Sequence, residues 1–432
     1  MRKAITTLII AAASAIAYMA ADGALAVVHP KVGNQVTADD GKLTITLTDK
    51  RQNHNWSDRA TREEDIFSPK SVRVHPDGTK YYVNSLEGGM TVVFSTDGNR
   101  KLTTIHHQFA AADSALWALP SGYYPIRFHR EGFNTFMGKP VESCFSHNGR
   151  FLWVPYYRRS FDINAQLPSA VAIIDTRTDS IVRLMETGPL PKMIASSPDG
   201  RYVAITHWGD NTVGIVDVSA PNARFWRHKP PLIVDYKLTL NLPTGTEVNR
   251  DRNSGYCLRG TVFTPDSRYL LVSCMGGDGI AAIDVKAHRY LGRVTGMRGN
   301  VRHLIIHGGY LYLSSNNQGY VQRLPLDKFL AALPSDGHTS RVDGWQECKV
   351  GAGARTIEIT PDGRYILAAC NAANSLDVVE VATMRRIASV PADSYPVGLD
   401  IAPDGHTAYL TSQARNYHGG NNVGIFRLDY DK

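Results

Sequence analysis

The sequence predicts an all-β chain: a seven-bladed β-propeller of four-stranded antiparallel blades, its ring closed by an N-terminal strand that joins the last blade. Three observations predict it. A hairpin recurs along the chain, read as apolar strand, Pro-Asp-Gly turn, then a strand rich in Tyr, Leu and Val. Third and fourth strand patterns follow most copies. The composition, with 37 Gly, 22 Pro and 20 Tyr in 432 residues, suits many short strands joined by turns.

The hairpin is clearest in VRVHPDGTKYYVNS (72–85), MIASSPDGRYVAITH (193–207), TVFTPDSRYLLVSC (261–274), IEITPDGRYILAAC (357–370) and LDIAPDGHTAYLTS (399–412). SCFSHNGRFLWVPY (143–156) is a sixth copy with Asn148 in the Asp place, and LIIHGGYLYLSS (304–315) a seventh with a shortened turn. Pro presets φ, Asp caps the turn, and Gly supplies the positive φ that the turn requires. TVGIVDV (212–218), GIAAIDV (279–285) and SLDVVEV (375–381) read as third strands, SIVRLMET (180–187) and RRIASVPA (385–392) as fourth strands. A lone blade cannot bury both faces, so seven such units must stack around an axis. The last blade has three strands of its own, and GKLTITLT (41–48) is left to supply its fourth.

Residues 1–26 read as a secretory signal: Arg2 and Lys3, an apolar run, then Ala24-Leu25-Ala26. The mature chain, 27–432, is then a single domain, periplasmic or secreted from a bacterium, and no later stretch is long and apolar enough to span a bilayer. The formal net charge of +7 is mild for this length and does not by itself point to nucleic acid. Five cysteines are too few for a disulfide scaffold. There is no C-x-x-C, C-x-x-C-H, G-x-x-x-x-G-K-[ST], H-E-x-x-H or G-x-S-x-G. No cofactor or metal is therefore expected. His106 and His107 point to opposite faces of a strand and do not readily share an ion with each other, and His129 alone makes no site. Cys257 and Cys274 bracket an antiparallel strand pair, which makes them a candidate disulfide.

The candidate site lies at the top of the central channel. The residue seven places before each turn Asp is Lys70, Lys192, Arg259 and Arg355 in blades one, three, four and six. Arg302 opens the corresponding strand of blade five, while blades two and seven have Val141 and Val397. Five cations on one rung make a focused positive field, suited to a carboxylate or phosphate. Three places down, Arg73 faces Asp400, with Glu358 on the same level, and an Arg73–Asp400 pair is expected. Glu142 and His303 stand one place after the rung and are the candidate acid or base. Tyr156, His207, Trp208, Asn316, Tyr417 and His418 complete the candidate ligand-binding set, since aromatic rings with polar tips suit a sugar or other polar anion. The long insertions 105–138, 155–168, 243–258 and 413–422 map to this top face, whereas 219–231 and 326–343 map to the opposite one.

The hairpins KYYVNS and RYVAITH with the third strand NTVGIVDV resemble the YVTN-type repeats of YncE-like exported bacterial propellers over nearly the whole mature chain, Tyr82-Val83-Asn84-Ser85 being nearest to the tetrapeptide. Arg302-His303 is similar to the Arg-His pair at strand starts of the seven-bladed lactonase group. The resemblance implies the architecture, and it implies an activity only broadly, since related propellers bind, scaffold or catalyse. Three function classes stay open. The first is a non-catalytic binder, expected to be a monomer: an exported propeller whose top face takes an acidic glycan, a cell-wall fragment, nucleic acid or a protein partner. The second is a lactonase or a glycan lyase or hydrolase acting on a carboxylate-bearing sugar, with Glu142 or His303 as base or acid. The third is a redox propeller associated with a cofactor.

Overall fold

The computed structural model describes residues 29–53, 59–124, 136–159, 162, 167–240, 242, 248–250, 253–413 and 420–430. The signal at 1–26, His129, Tyr417 and His418 lie outside the described residues. Seven antiparallel sheets form the blades of a propeller. Blades one and six are the simplest: Pro69–Val74, Lys80–Ser85, Met90–Ser95 and Lys101–His106 in the first, Ala354–Ile359, Tyr365–Cys370, Ser375–Glu380 and Arg385–Pro391 in the sixth. First strands of successive blades are neighbours around the ring and line its axis.

The repeated turn is built as its residues dictate. Gly78, Gly200, Gly363 and Gly405 adopt φ between 71° and 76°. Ser267 takes the same place at φ 60° without the freedom of glycine. Asp77, Asp199, Asp266, Asp362 and Asp404 each accept the amide N–H two residues on, at 2.9–3.1 Å.

Both faces of each blade are apolar and pack on their neighbours. Between blades two and three, for example, Trp153, Val171 and Ile173 meet Val203, Ile205 and Trp226, and the two indoles stack at 5.3 Å. The insertion after blade one adds Gln108–Phe109 and Phe136–Pro140 to the edge of blade two. In blade three the fourth strand is broken into Arg227–His228 and Leu232–Ile233 around Pro230-Pro231, which have no N–H to give a ladder. The segment after blade five's third strand forms a helix, Leu326–Ala331, and then Thr339–Arg341, which pairs in parallel with Arg289–Thr295 of blade four. Among the described residues no helix is long and apolar enough to cross a membrane.

The N-terminal strand runs from Leu43 to Gln52 and pairs antiparallel with Asn422–Tyr430, so the seventh blade is made from both ends of the chain. Leu43, Ile45 and Leu47 are fully buried between blades six and seven. Lys50 forms a buried ion pair with Asp393 at 2.6 Å on the turn that joins those blades. Ile45→Asp is expected to cost about 3–5 kcal/mol by placing a carboxylate in this core. Thr44→Asp, on the other side of the same strand, is expected to cost less than about 1 kcal/mol. Urea midpoints of the two variants check the difference, and equal midpoints would show that the strand does not hold the ring.

Candidate functional site

Six of the seven innermost strands, all but that of blade two, carry a defect at the cationic rung. Their pairing with the second strands slips between Pro69 and Ser71, Pro191 and Ile194, Leu258 and Thr261, Val301 and His303, Ala354 and Ile357, and Pro396 and Gly398. Lys70, Lys192, Arg259, Arg302, Arg355 and Val397 all fall in these slips. A bulge breaks the alternation of a strand and re-aims the side chain at the extra residue. The rung backbone is also tied to the blade before it. Ser71 Oγ donates to the Val141 carbonyl, Ser314 Oγ to that of Arg355 and Thr356 Oγ1 to that of Val397, each at 2.6 Å. Thr206 Oγ1 makes the same bond to Arg259 at 3.4 Å.

The rung cations are buried, with Lys70, Lys192, Arg259 and Arg355 only 2–9% exposed. Lys70, Arg259, Arg355 and Glu142 lie within electrostatic reach of one another. Arg259 Nη2 donates to Glu142 Oε1 at 3.0 Å. Burial would raise the Glu142 carboxyl, but Arg259, Lys70 and Arg355 outweigh it and hold it below the usual range. Burial and Arg355 push Arg259 down to about 10. Lys70 is pushed well below the ordinary lysine value, first by burial, then by Arg355 and Arg259. Among the described residues, Lys70 Nζ makes no hydrogen bond and no carboxylate lies at ion-pair distance from it, Glu142 being paired with Arg259 and acting on Lys70 from further off. The Arg355 guanidinium faces the Tyr395 ring at 5.9 Å, and its Nε is buried without a hydrogen bond.

The other two cations are placed differently. Lys192 Nζ sits 3.8 Å from the Tyr157 ring and 4.7 Å from that of Trp208. Arg302 turns to its own blade, donating to Asn316 Oδ1 at 3.3 Å and lying 3.5 Å from Met275 Sδ. The five cations therefore form a cluster of three around Glu142, one aromatic-stacked lysine, and one arginine held by a side-chain amide.

His303 is buried and neutral at pH 7, its imidazole pushed down to about 4 by burial and then by Arg73. Its Nδ1 accepts the Ile357 N–H at 3.4 Å, which leaves the proton on Nε2. In this state Nε2–H can donate a hydrogen bond, while the Nδ1 lone pair is already occupied. The layer below is nearly self-neutralised. Arg73 Nη1 contacts Glu358 at 3.2 Å and Asp400 at 3.3 Å, and its Nε donates to the Ser143 carbonyl. Burial raises Glu358 to about 8, with Asp400 adding to the effect against the pull of Arg73.

Several expected ligand contacts are corrected. Tyr156 is fully buried, and its hydroxyl bonds His107 Nδ1 at 2.9 Å. Thr91 Oγ1 meets the other ring nitrogen of His107 at 2.8 Å. His207 is fully buried too, accepting the Gly188 N–H at Nε2 and meeting Thr212 at Nδ1. Trp208 donates its Nε1–H to the Arg250 carbonyl and supports Lys192 with its ring. Asn316 bridges Arg302 to the Ala354 carbonyl. These polar tips are used by the fold itself. No bond joins Cys257 to Cys274: Cys257 adopts φ 52° and its Sγ turns to the Gly255 carbonyl, while that of Cys274 turns to Val272. Among the described residues no three His, Cys, Asp or Glu side chains gather as a metal-ligating group.

The bulges went unseen in the sequence, although it carries a signal for them. Proline precedes the rung at Pro69, Pro140, Pro191 and Pro396, and proline within a sheet marks strand starts and bulges. Replacing Lys70 by Met is expected to stabilise the ligand-free protein by about 1–3 kcal/mol, because an unpaired charge leaves a buried cationic cluster. Thermal or urea unfolding checks the sign, and destabilisation would mean that Lys70 is structural.

Comparison with known proteins places this geometry. Solved structures with the same fold include hydrazine synthase of Kuenenia stuttgartiensis, at 14% identity and TM-score 0.58 over 87% of this chain and 100% of that one. Another is the β-propeller domain of Cps50 (Swd1) of Myceliophteria thermophila, at 11% identity and TM-score 0.56 over 84% and 96%. At such identities the likeness is one of fold. No curated protein matches the sequence. The family described as lactonase, seven-bladed β-propeller, matches residues 144–432, more than half of the chain. With seven blades closed around a cationic axis, the chain belongs to the lactonase family of seven-bladed β-propellers.

Proposed function

We propose that the protein, exported by the signal read at 1–26, binds a small organic anion on the axis of its ring, between Lys70, Arg259 and Arg355. One observation carries this reading: Lys70 and Arg355 are buried beside a third cation with a single carboxylate among them. Buried charges are ordinarily paired. Here the pairing falls short by about two charges, and an anion would supply it. Burial also narrows the ligand. A polymer such as nucleic acid needs an open basic surface, whereas a uronate or another sugar-sized carboxylate fits a closed cluster. Arg259 and Arg355 offer planar forks for a carboxylate, and His303 Nε2–H offers one neutral donor.

Family membership favours a second reading, hydrolysis of a carboxylate-bearing lactone. Glu142 is a weak candidate for the base, because three cations hold its carboxyl low. Lys70, whose proton is loosened by burial and by Arg355 and Arg259, is the better one. Its neutral amine would take a proton from the attacking water as the water oxygen adds to the lactone carbonyl, and the Lys70 ammonium would return that proton to the ring oxygen as the ring C–O bond breaks, releasing the hydroxy acid. An arginine would hold the carbonyl oxygen as it gains charge.

Calorimetric titration with D-glucuronate and D-gluconate tests the binding reading. Arg355→Gln and Lys70→Met are each expected to weaken binding about tenfold or more. An anion beside Lys70 raises its lowered pKa, so binding takes up protons and affinity increases as pH falls through the range in which Lys70 is partly neutral. Titrations in two buffers of different ionisation enthalpy measure that uptake, and Lys70→Met should abolish it. Unchanged affinity in both variants, with no proton uptake, would remove the axial site. Turnover of an aldaric acid monolactone such as D-glucaro-1,4-lactone, which keeps one free carboxylate, would establish the second reading if it is lost in Lys70→Met.

A further inference from the structure

A second concentration of arginine lies at the turn end of the blades, away from the rung. A cavity of about 400 Å³ opens between blades two and three. Arg150 enters it from the start of Phe151–Arg159, Arg183 from Ser180–Thr187, and Arg224 from the insertion between the third and fourth strands of blade three. Asn222 lies on the same wall, and Phe151 and Val182 supply apolar surface.

The charges here do not cancel. Asp175 is shared between Arg150, at 3.0–3.1 Å, and Arg177, at 3.4 Å. Glu186, the next carboxylate, accepts the N–H and hydroxyl of Ser121 at 2.6 and 2.8 Å. That leaves Arg183 and Arg224 without a carboxylate. Arg183 is only 8% exposed, and its Nε has no hydrogen-bond partner. Burial and the neighbouring Arg227 and Arg224 lower its pKa, with Glu186 opposing only in part. Arg224 is exposed, its backbone N–H capped by Asn222 Oδ1 at 2.9 Å. That cap shapes the turn of the insertion and leaves the Asn222 amide N–H groups as further donors.

We propose that this cavity is a second ligand site, separate from the axial one, which takes the phosphate or sulfate group of a small organic ester. One arginine satisfies both oxygens of a carboxylate. The guanidinium groups of Arg183 and Arg224, with Arg150 held beside them by Asp175 on the same cavity wall, suit a tetrahedral oxyanion with three free oxygens. The volume exceeds that of the oxyanion alone and lies in the range of small-ligand pockets. The ester's organic body then rests on Phe151 and Val182.

Phenyl phosphate and phenyl sulfate, titrated calorimetrically at low salt, test the proposal. The protein should bind at least one of them. Arg224→Ala, on an exposed side chain that folding does not need, should weaken that binding about tenfold. Arg183→Gln should abolish it, and Lys70→Met should leave it unchanged. The two esters separate by pH: affinity for the phosphate rises between pH 5 and 7 as its second proton, with pKa about 6, is lost, while affinity for the sulfate stays level. Three outcomes would overturn the proposal: no binding of either ester, binding indifferent to both Arg224→Ala and Arg183→Gln, or binding lost only in Lys70→Met, which would assign the ester to the axis.

Discussion

Seven strands meet on one axis, and side chains at a common rung must share the space there. This geometric constraint turns a repeat of ordinary hairpins into a site. In most folds five basic residues scattered over 285 positions would be solvated separately. Here the ring brings Lys70, Arg259 and Arg355 into one buried cluster, and their mutual repulsion is the cost of that convergence. Hydroxyls of Ser71, Thr206, Ser314 and Thr356 hold the rung backbone at Val141, Arg259, Arg355 and Val397 from the preceding blade, which fixes where two of the three clustered cations start.

The apolar contacts between blades make such a cluster tolerable. Each blade buries both faces, and the seventh is completed by a strand from the other end of the chain. The burial between blades offsets the electrostatic strain on the axis. One layer down the same axis shows the relaxed alternative. Arg73 stands between Glu358 and Asp400, and the charges nearly balance. The contrast between the two layers argues that the upper imbalance is not a general property of the channel.

Much of this was legible in the sequence because a repeat puts equivalent residues at equivalent places. The turn Asp counts directly to the rung, so Lys70, Lys192, Arg259 and Arg355 were found by arithmetic, and the Arg73–Asp400 contact followed from blades seven and one being neighbours. Side-chain direction was not legible. Tyr156 stands within the strand Phe151–Arg159 and His207 ends Tyr202–His207, yet their polar atoms are bound by His107 and by Thr212 and Gly188. A strand end on the correct face says nothing about which neighbour reaches that polar atom first. The cavity at Arg183 was invisible for a related reason. It needs two blades and an insertion in contact: Arg150 stands at a repeated place, two residues after the turn Asp or Asn like Arg201, Arg268 and Arg364, but Arg183 and Arg224 stand at none.

The two lysines of the rung show how far position in a repeat determines role. Lys70 and Lys192 both follow proline, and both sit in the slip of an innermost strand. Lys192 lies against the electron-rich faces of Tyr157 and Trp208, which offset its charge without removing it. Lys70 lies against Arg355 and Arg259, which make its charge harder to keep. An arginine at position 70 could not respond by losing a proton, whereas a lysine can. The fold therefore places its most easily neutralised cation where an arriving anion would change it most, and binding at the axis and the protonation of Lys70 become one equilibrium.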